Sequence, residues 1–331
     1  MTRRSFIGAC ILHAKDRMET RKIGSLQVTV VGLGGNNFGS RLDPAGTRAV
    51  VDAALDAGIN FIDTADIYGG TKSEEFLGRA LEGRREKVVL ATKFGMRVDE
   101  KRYGAKPAYV RRACEDSLRR LRTDRIDLYQ LHQPDLETPI GDTLEALDDL
   151  VRAGKVREIG CSNFSVEQIR EAHELPRYGA ASFVSVQNEY SLLHREPELE
   201  VLPECERLGL AFIPYFPLAS GVLTGKYARV GPSAKGRLSE PGRSRDRFLN
   251  DRNRRTAEKV ADFAESRGHT LLELAICWLL AHPAVASVIA GATKPEQVRA
   301  NARSADWPLT EDEIAEIDSI APAEQDLARA G

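Results

Sequence analysis

The sequence lacks any long hydrophobic run, and this absence bears on the first class of protein to consider. The longest apolar segment, 271–280, carries Glu273 and is shorter than the roughly 18 apolar residues that a membrane-spanning helix requires. We therefore expect no transmembrane helix and no membrane partner.

Cysteine is also scarce, and its distribution matters more than its number. The five cysteines are an odd count, are widely scattered and include no Cys-x-x-Cys pair. Such spacing is typical neither of a disulfide framework nor of a metal cage. We expect each thiol to be a small buried hydrophobic group in a reducing cytoplasm, and we predict no metal site. The cysteines are Cys10, Cys114, Cys161, Cys205 and Cys277.

No charge of one sign dominates the chain. It has 47 lysines and arginines against 49 aspartates and glutamates, a formal net charge of −2, so nothing indicates a nucleic-acid partner. Hydrophobic residues make up 42% and charged residues 29%, which excludes wholesale disorder. A chain of 331 residues fits either two ordinary domains or one α/β barrel, and composition indicates no oligomeric state.

The N-terminus allows two interpretations. Segment 2–7, which contains two adjacent arginines, resembles a twin-arginine export signal. The apolar stretch that follows, 6–12, is short, is interrupted by a glycine and leads into charged residues without a cleavage site. We favour a disordered extension over residues 1–17, with a single domain over residues 18–331.

Short β-rich runs alternate with helical patterns along the whole chain. Most of these runs are almost continuously apolar, which is typical of parallel strands that are buried on both faces. The helical segments carry start and stop signals: Asp43-Pro44 offers an N-cap and a first-turn proline, Gly58 ends that helix, and Ser165 stands three residues before Gln168. The predicted strands are 28–31, 60–63, 87–92, 126–131, 156–160, 183–187, 210–214 and 286–290.

Eight strands, each followed by a helical segment, predict a single closed (β/α)8 TIM barrel in the α/β class. A hairpin over 21–28, turning at Gly24-Ser25, is expected to cap one mouth of the barrel. A helical pattern at 311–320 predicts an extra C-terminal helix. In such barrels the active site lies at the carboxyl ends of the strands.

Four residues with acid–base chemistry stand at or just after predicted strand ends: Asp63, Tyr68, Lys93 and His132. A carboxylate and an ammonium can pair and both stay charged in a partly dry site. A cation near a phenol favours the phenolate, so we expect the tyrosine pKa to fall below about 10. Such a tyrosine can exchange a proton with a carbonyl oxygen, which a histidine can position. Each residue alone is as readily structural, but together they favour carbonyl reduction.

From about Arg21 to Asn301 the sequence resembles the aldo-keto reductases, in particular bacterial members related to the branch that contains potassium-channel β subunits. The matching segments are Gly32-Leu33-Gly34, Phe38-Gly39, Phe61-Ile62-Asp63-Thr64-Ala65-Asp66-Ile67-Tyr68-Gly69, Thr92-Lys93, Asp127-Leu128-Tyr129-Gln130-Leu131-His132, Gly154-Lys155-Val156-Arg157-Glu158-Ile159-Gly160-Cys161-Ser162-Asn163-Phe164, Gln187-Asn188-Glu189-Tyr190, residues 215–226, and Gly291-Ala292-Thr293 with Gln297 and Asn301.

The resemblance implies an NADPH-dependent oxidoreductase, with NADH also possible, that reduces aldehydes or ketones reversibly. Tyr68 would be the general acid–base, Lys93 would lower its pKa, Asp63 would hold Lys93, and His132 would orient the carbonyl. The nicotinamide would stack on Tyr215. The residues that would contact the cofactor are Gly34, Gly35, Asn36, Asp63, Ser162, Asn163, Gln187, Tyr215, Pro217, Leu218, Gly221, Lys226, Gly291, Thr293, Gln297 and Asn301.

The glycines at 32 and 34 do not form a Rossmann fingerprint, because the third glycine position is Asn37. Segment 291–295 offers another phosphate site, since it enters a helix near Pro295 with free N–H groups and a positive dipole end. Thr293 and Lys294 could there receive a 2′-phosphate; a plain helix cap is the alternative. Ala300 departs from the family pattern, in which many relatives have an acid before the asparagine.

The stretch 226–250 is rich in basic residues, and we expect either a flap over the cofactor or a solvated loop. Gln133 and Phe94, with Tyr103 a weaker choice, are predicted to shape the substrate pocket. The substrate is a small carbonyl compound or sugar. Alternatives to carbonyl reduction are a sugar or polyol dehydrogenase, a redox-sensing regulatory subunit with little turnover, and an aldolase that uses Lys93 as nucleophile.

Overall fold

The computed structural model describes residues 18–175, 180–227, 238–239 and 242–323. The segment 1–17, for which a disordered extension is predicted, lies outside this part of the chain. Within it, no helix is long and apolar enough to cross a membrane.

An N-terminal hairpin closes one end of the molecule. Strands β1 (Thr20–Ile23) and β2 (Leu26–Thr29) pair antiparallel and turn at Gly24, whose φ of 56° lies in the left-handed region that suits glycine. Three hairpin side chains are buried and pack onto the barrel interior, so the hairpin fills the mouth at the amino ends of the strands. These side chains are Ile23, Leu26 and Val28, and their partners include Phe61, Ala91 and Leu128.

Eight parallel strands form the barrel, in an order around it that follows the chain. The last strand pairs with the first, and a parallel bridge between Phe212 and Val285 joins the seventh to the segment before the eighth. The predicted (β/α)8 barrel with its hairpin cap is therefore confirmed. The strands are β3 (Val31–Gly34), β4 (Phe61–Asp63), β5 (Val89–Phe94), β6 (Ile126–Leu131), β7 (Val156–Ser162), β8 (Phe183–Gln187), β9 (Ala211–Phe212) and β10 (Val288–Gly291).

The helices surround the barrel, and two of them, at Pro44 and Val166, begin where capping signals predict. The Asp43 side chain accepts a hydrogen bond from the Gly46 backbone N–H at 2.7 Å, and Ser165 forms a capping box with Gln168. The helices are α1 (Pro44–Asp56), α2 (Lys72–Ala80), α3 (Pro107–Leu121), α4 (Ile140–Arg152), α5 (Val166–Glu174), α6 (Val201–Leu208), α7 (Arg243–Phe248), α8 (Asp251–Ser266), α9 (Leu271–Leu280), α10 (Pro295–Ala302) and the C-terminal α11 (Glu311–Ile320).

The first barrel strand begins later than predicted. The apolar run 28–31 belongs partly to the hairpin, which ends at Thr29, and partly to β3, which starts at Val31. The Thr29 hydroxyl donates a hydrogen bond to the Val31 carbonyl at 2.8 Å, where the chain passes from the hairpin into the barrel. The predicted strand was wrong because one continuous apolar run does not reveal a change of sheet inside it.

Candidate active site

A cavity of about 1050 Å³ opens at the carboxyl ends of the barrel strands. The structure brings every residue predicted to contact the cofactor to its wall, together with Tyr68, His132 and Gln133. Lys93 lies behind this wall. The predicted cofactor residues in the wall are Gly34, Gly35, Asn36, Asp63, Ser162, Asn163, Gln187, Tyr215, Pro217, Leu218, Gly221, Lys226, Gly291, Thr293, Gln297 and Asn301.

Asp63 and Lys93 form a buried ion pair beneath the cavity. Lys93 Nζ lies 2.5 Å from Asp63 Oδ2 and donates to the Thr64 carbonyl at 2.8 Å. The other oxygen, Asp63 Oδ1, accepts hydrogen bonds from Gln130 and Gln187, both at 3.1 Å. Burial is the largest single influence and lowers the pKa of Lys93, but the contributions of Asp63 and Tyr68 together outweigh it, so the lysine pKa is raised. The ammonium therefore stays charged although its side chain is 0% exposed.

Tyr68 is the next residue outward from this pair. Its hydroxyl lies 3.5 Å from Lys93 Nζ, which also sits 5.0 Å from the centre of the tyrosine ring. The chain turns tightly at Gly69, directly after Tyr68, with a φ of 59°. Glycine suits this position because a Cβ would come within 2.6 Å of the Phe38 carbonyl oxygen. Lys93 is therefore the charged group in direct contact with the phenol.

The expected fall in the Tyr68 pKa is wrong for this structure. Burial is the largest influence and raises the pKa above its usual value of 10. Lys93 lowers the pKa, as predicted, but Asp63 raises it again and the sum stays above 10. The sequence showed the cation beside the phenol but not the depth at which the hydroxyl is buried.

His132 follows β6 and faces Tyr68 edge-on, with ring centres 5.7 Å apart and planes at 80°. Burial lowers the His132 pKa well below 6.5, and repulsion from Lys93 lowers it further. The imidazole is therefore neutral at physiological pH and can donate one hydrogen bond into the cavity. Its Nδ1 atom is buried without a hydrogen-bond partner in the described part of the chain.

Polar groups beyond His132 are tied into one network. Asn163 donates from Nδ2 to the His132 carbonyl at 2.9 Å and accepts from the Tyr215 hydroxyl at 2.8 Å. Ser162 donates to the Gln187 carbonyl at 2.6 Å. Asn163 adopts a left-handed φ of 62°, a costly conformation for a residue other than glycine. These contacts hold amide and hydroxyl groups rigidly beside the partly exposed Tyr215 ring.

The opposite end of the cavity combines close backbone approach with positive charge. Helix α10 begins at Pro295, and its N-cap residue, Lys294, makes no side-chain capping bond. A Cβ on Gly291 would lie 3.2 Å from Asn36 Oδ1, so a side chain there would narrow the groove. The Asn36 Oδ1 atom is buried and without a partner among the described residues. Lys226 lies against Gly221, where a Cβ would come within 2.9 Å of its Nζ atom.

These features fit a nicotinamide dinucleotide. A dinucleotide needs amide partners at one end, close backbone approach in the middle and cations or helix N–H groups at its phosphates. The unpartnered Asn36 oxygen, Gly291 and the two lysines, Lys226 and Lys294, supply groups of these kinds. Among the described residues, no group of three or more His, Cys, Asp or Glu side chains is arranged to hold a metal ion.

The structure separates the predicted pocket-shaping residues. Gln133 lies in the cavity wall. Phe94 does not lie in the wall. It is 0% exposed and stacks on Tyr129 between barrel and helices, with ring centres 4.7 Å apart. Strand residues alternate between faces, so the residue after inward-facing Lys93 points outward. Tyr103 is exposed and covers Arg97, with 3.8 Å between the guanidinium carbon and the ring centre. The predictions for Phe94 and Tyr103 are therefore wrong.

The predicted flap is described only in part. Residues 228–237 and 240–241 lie outside the described residues, and with them Arg229, Lys235 and Arg237. The described part ends in α7, where Arg247 donates to the Glu189 carboxylate and Phe248 packs on Phe216 with ring centres 5.4 Å apart.

Several wall residues were not predicted. Ser220 and Thr224 fall inside the matching segment 215–226 and could have been chosen from it. Arg41, Met96 and Leu272 come from loops and a helix whose approach to the cavity depends on tertiary packing, so the sequence carried no signal for them.

Comparisons with known proteins agree with this geometry. A family model described as "Aldo/keto reductase family" matches residues 30–322. A Bacillus subtilis (strain 168) protein described as "Uncharacterized oxidoreductase YqkF" is 36% identical over 323 residues, which cover 95% of this chain and 99% of the relative. "Uncharacterized oxidoreductase YrpG" from the same organism is 35% identical over 311 residues, covering 90% and 93%.

A solved structure gives the same result. The aldo-keto reductase AKR11C1 from Bacillus halodurans, in its holo form, is 33% identical and superposes with a TM-score of 0.78 over 93% of this chain and 97% of that chain. Sequence and fold thus match over nearly the whole length. The chain belongs to the aldo/keto reductase family and is an NAD(P)H-dependent oxidoreductase.

Proposed function

We propose that this protein catalyses the reversible, NADPH-dependent reduction of aldehydes or ketones to alcohols, with Tyr68 as general acid–base. The observation that carries the proposal is the line of contacts Asp63–Lys93–Tyr68, with distances of 2.5 and 3.5 Å, that ends beside the neutral imidazole of His132. No nucleophile with an adjacent base, and no closely paired carboxylates, occurs among the described cavity residues.

Each residue has a distinct part in the reaction. The reduced nicotinamide, when bound, supplies a hydride to the carbonyl carbon. The Tyr68 hydroxyl gives its proton to the carbonyl oxygen, so hydride and proton together convert C=O to CH–OH. The charged Lys93 stabilises the phenolate that Tyr68 becomes, and the Asp63 carboxylate keeps that ammonium in place. The His132 imidazole donates a hydrogen bond to the substrate oxygen and fixes its position.

The preference for NADPH is part of the proposal. Thr293 and Lys294 stand at the N-terminal end of α10, where backbone N–H groups and the helix dipole favour an anion. Lys294 is exposed at the cavity and makes no ion pair with a described residue, so its ammonium is free for a 2′-phosphate.

The buried ion pair also bears on the aldolase alternative. A Schiff-base nucleophile must be a neutral, accessible amine. Lys93 is instead charged, 0% exposed and held by Asp63. The geometry therefore favours reduction over Schiff-base chemistry.

Tyr68→Phe tests the mechanism. We expect turnover with a panel of aldehydes, ketones and sugars to fall about 10²- to 10⁴-fold, while the dissociation constant for NADPH changes little. Tyr103→Phe is the matched control, because Tyr103 is exposed outside the cavity wall and should keep full activity. Near-normal turnover of Tyr68→Phe would contradict the proposed role. Assay of the panel in both directions also shows whether alcohol oxidation is the faster reaction.

A further inference from the structure

A second buried cluster of charges lies behind the Asp63–Lys93 pair and takes no part in the mechanism above. Glu74, on α2, is 0% exposed and bonds through Oε2 to Arg120 Nε at 2.6 Å. Its other oxygen accepts a hydrogen bond from the Thr92 hydroxyl at 2.6 Å, one residue before Lys93. Both carboxylate oxygens of Glu74 thus have a hydrogen-bond partner, and Glu74 forms an ion pair with Arg120 on α3.

Asp66 is the second carboxyl group near this arginine, and its hydrogen bonding is less complete than that of Glu74. It is 2% exposed, and its Oδ1 atom has no hydrogen-bond partner among the described residues. It lies three residues after Asp63 and two before Tyr68, and its backbone N–H donates to the Lys93 carbonyl at 3.1 Å. The loop that carries the catalytic tyrosine therefore also carries a buried, incompletely bonded acid.

The surrounding charges do not balance if Asp66 is ionised. Arg120 already neutralises Glu74, and Lys93 already neutralises Asp63, so no cation remains for a third buried carboxylate in this cluster. Burial, and next repulsion from Glu74, raise the pKa of Asp66 to about 8, against smaller opposing effects of Arg120, of a hydrogen bond from the Ile67 backbone N–H and of Lys93. The titratable and charged groups that face Asp66 are Glu74 on α2, Lys93 on β5, Tyr109 and Arg120 on α3, Tyr129 on β6, and Tyr68 in its own loop.

The tyrosines among these groups do not change the charge balance, because a phenol carries no positive charge and these phenols add no negative charge either. Burial raises the pKa of both Tyr109 and Tyr129, so both stay neutral. The Tyr129 hydroxyl is itself buried without a partner in the described part of the chain. Protonation of Asp66 is the remaining way to balance the cluster.

We propose that Asp66 holds a proton in the working enzyme and that its neutral carboxyl is a positioning group that sets the electrostatic field in which Tyr68 exchanges its own proton. Ionised Asp66 adds a negative charge near Tyr68 and opposes formation of the phenolate. This inference rests on the proposed role of Tyr68 as acid–base. As long as Asp66 stays protonated, this negative charge is absent. Neutral Asp66 therefore favours alcohol oxidation, which needs the Tyr68 phenolate.

A neutral buried acid also affects stability in a defined direction. Its pKa is higher in the folded state than the value near 3.8 of an exposed aspartate, so the unfolded chain loses the proton first. Stability therefore falls as pH rises from about 4 to about 8 and then levels off. Asp66→Asn, which mimics the neutral acid, should remove this fall.

The experiment compares the wild type, Asp66→Asn and the control Asp262→Asn, which alters an exposed aspartate on α8. Melting temperature is measured from pH 4 to 9, and infrared difference spectra between pH about 7 and about 9, where exposed carboxyl groups are already ionised, detect a carboxyl group that loses its proton near pH 8. We expect a carboxylic-acid band in the wild type and the control that is absent in Asp66→Asn. We also expect the melting temperature of Asp66→Asn to exceed that of the wild type by a difference that grows as pH rises.

The third measurement is the pH profile of NADP⁺-dependent alcohol oxidation. Residue 66 cannot ionise in Asp66→Asn. The rise of its oxidation rate with pH should therefore begin roughly 0.5 to 1 pH unit lower than in the wild type. An absent band together with an unchanged pH dependence of melting would show that Asp66 is ionised and overturn the inference. A band with an unshifted profile would overturn the link to Tyr68. The infrared and melting measurements need no turnover, so they hold or fail independently of the proposed function.

Discussion

At the residue scale, the charge of Lys93 is balanced by one carboxylate, that of Asp63. The effect of this ion pair on stability can therefore be tested separately from its effect on the reaction. The pair has 0% and 3% side-chain exposure, so neither charge is solvated when the other is removed. Removing one partner from a buried ion pair typically costs about 3–5 kcal/mol, whereas replacing both by uncharged groups often costs little.

We therefore expect Lys93→Met to destabilise the protein by about 3–5 kcal/mol and to abolish reduction. The double variant Asp63→Asn/Lys93→Met should recover most of that stability without recovering activity, because no cation remains to stabilise the phenolate. Urea unfolding and turnover of one aldehyde give the two readouts. A double variant as unstable as Lys93→Met, or one that turns over normally, would contradict this interpretation.

Single residues also show where sequence reasoning reaches its limit. Asp63, Tyr68, Lys93 and His132 could be found because the sequence pattern shows where strands end, and the active site of such a barrel lies at those ends. The direction of the Tyr68 pKa could not, because it depends on how far burial outweighs Lys93. The prediction for Phe94 is wrong because strand residues alternate between faces, so the side chain after Lys93 points away from the cavity.

At the scale of elements, the boundary between the β10 loop and α10 determines the proposed cofactor preference. Lys294 occupies the N-cap and Thr293 precedes it, with the Thr293 N–H bonded to Gln297 Oε1 at 2.7 Å. This turn was predictable, since proline at the first helical position marks the start of a helix. The loop after β9 was not, because three of its left-handed residues are not glycines: Phe216, Ala219 and Ser220 have φ of 51°, 45° and 55°.

Lys294→Ala tests the preference directly. A charge-assisted contact to a 2′-phosphate contributes about 1.5–3 kcal/mol, so we expect NADPH affinity to fall about 10- to 100-fold and NADH affinity to change little. Arg299→Ala is the control, since Arg299 is exposed on the same helix outside the cavity wall. Fluorescence titration with both cofactors provides the measurement. An equal loss for NADPH and NADH would show that Lys294 does not distinguish them.

At the scale of the whole molecule, the two mouths of the barrel differ in chemistry. The hairpin mouth is filled by apolar side chains such as Ile23 and Leu26, and the opposite mouth holds the cavity with the acid–base and amide side chains. The alternation of strands and helices was sufficient to predict this arrangement, because few other folds satisfy it. The shift of the first strand from 28–31 to 31–34 did not alter it, since the same chain segment still enters the barrel.

Ile23→Ala should therefore destabilise the protein without changing its chemistry. A buried isoleucine replaced by alanine costs about 2–5 kcal/mol, and Ile23 is 0% exposed. The Michaelis constants and the turnover per folded molecule should match the wild type at low temperature. Lys22→Ala, at the neighbouring exposed position, is the control for the hairpin backbone. A change in kcat would show that the hairpin communicates with the cavity.

The sealed mouth also has a consequence for how such a protein can change over generations. Substitutions in the hairpin adjust how much destabilisation the fold tolerates, and substitutions in the loops of the open mouth alter what the enzyme accepts. Because the two sets act at opposite ends of one barrel, they do not compete for the same positions. Stabilising substitutions at the hairpin end can therefore come first, and the stability they add allows destabilising substitutions that change substrate specificity at the cavity end.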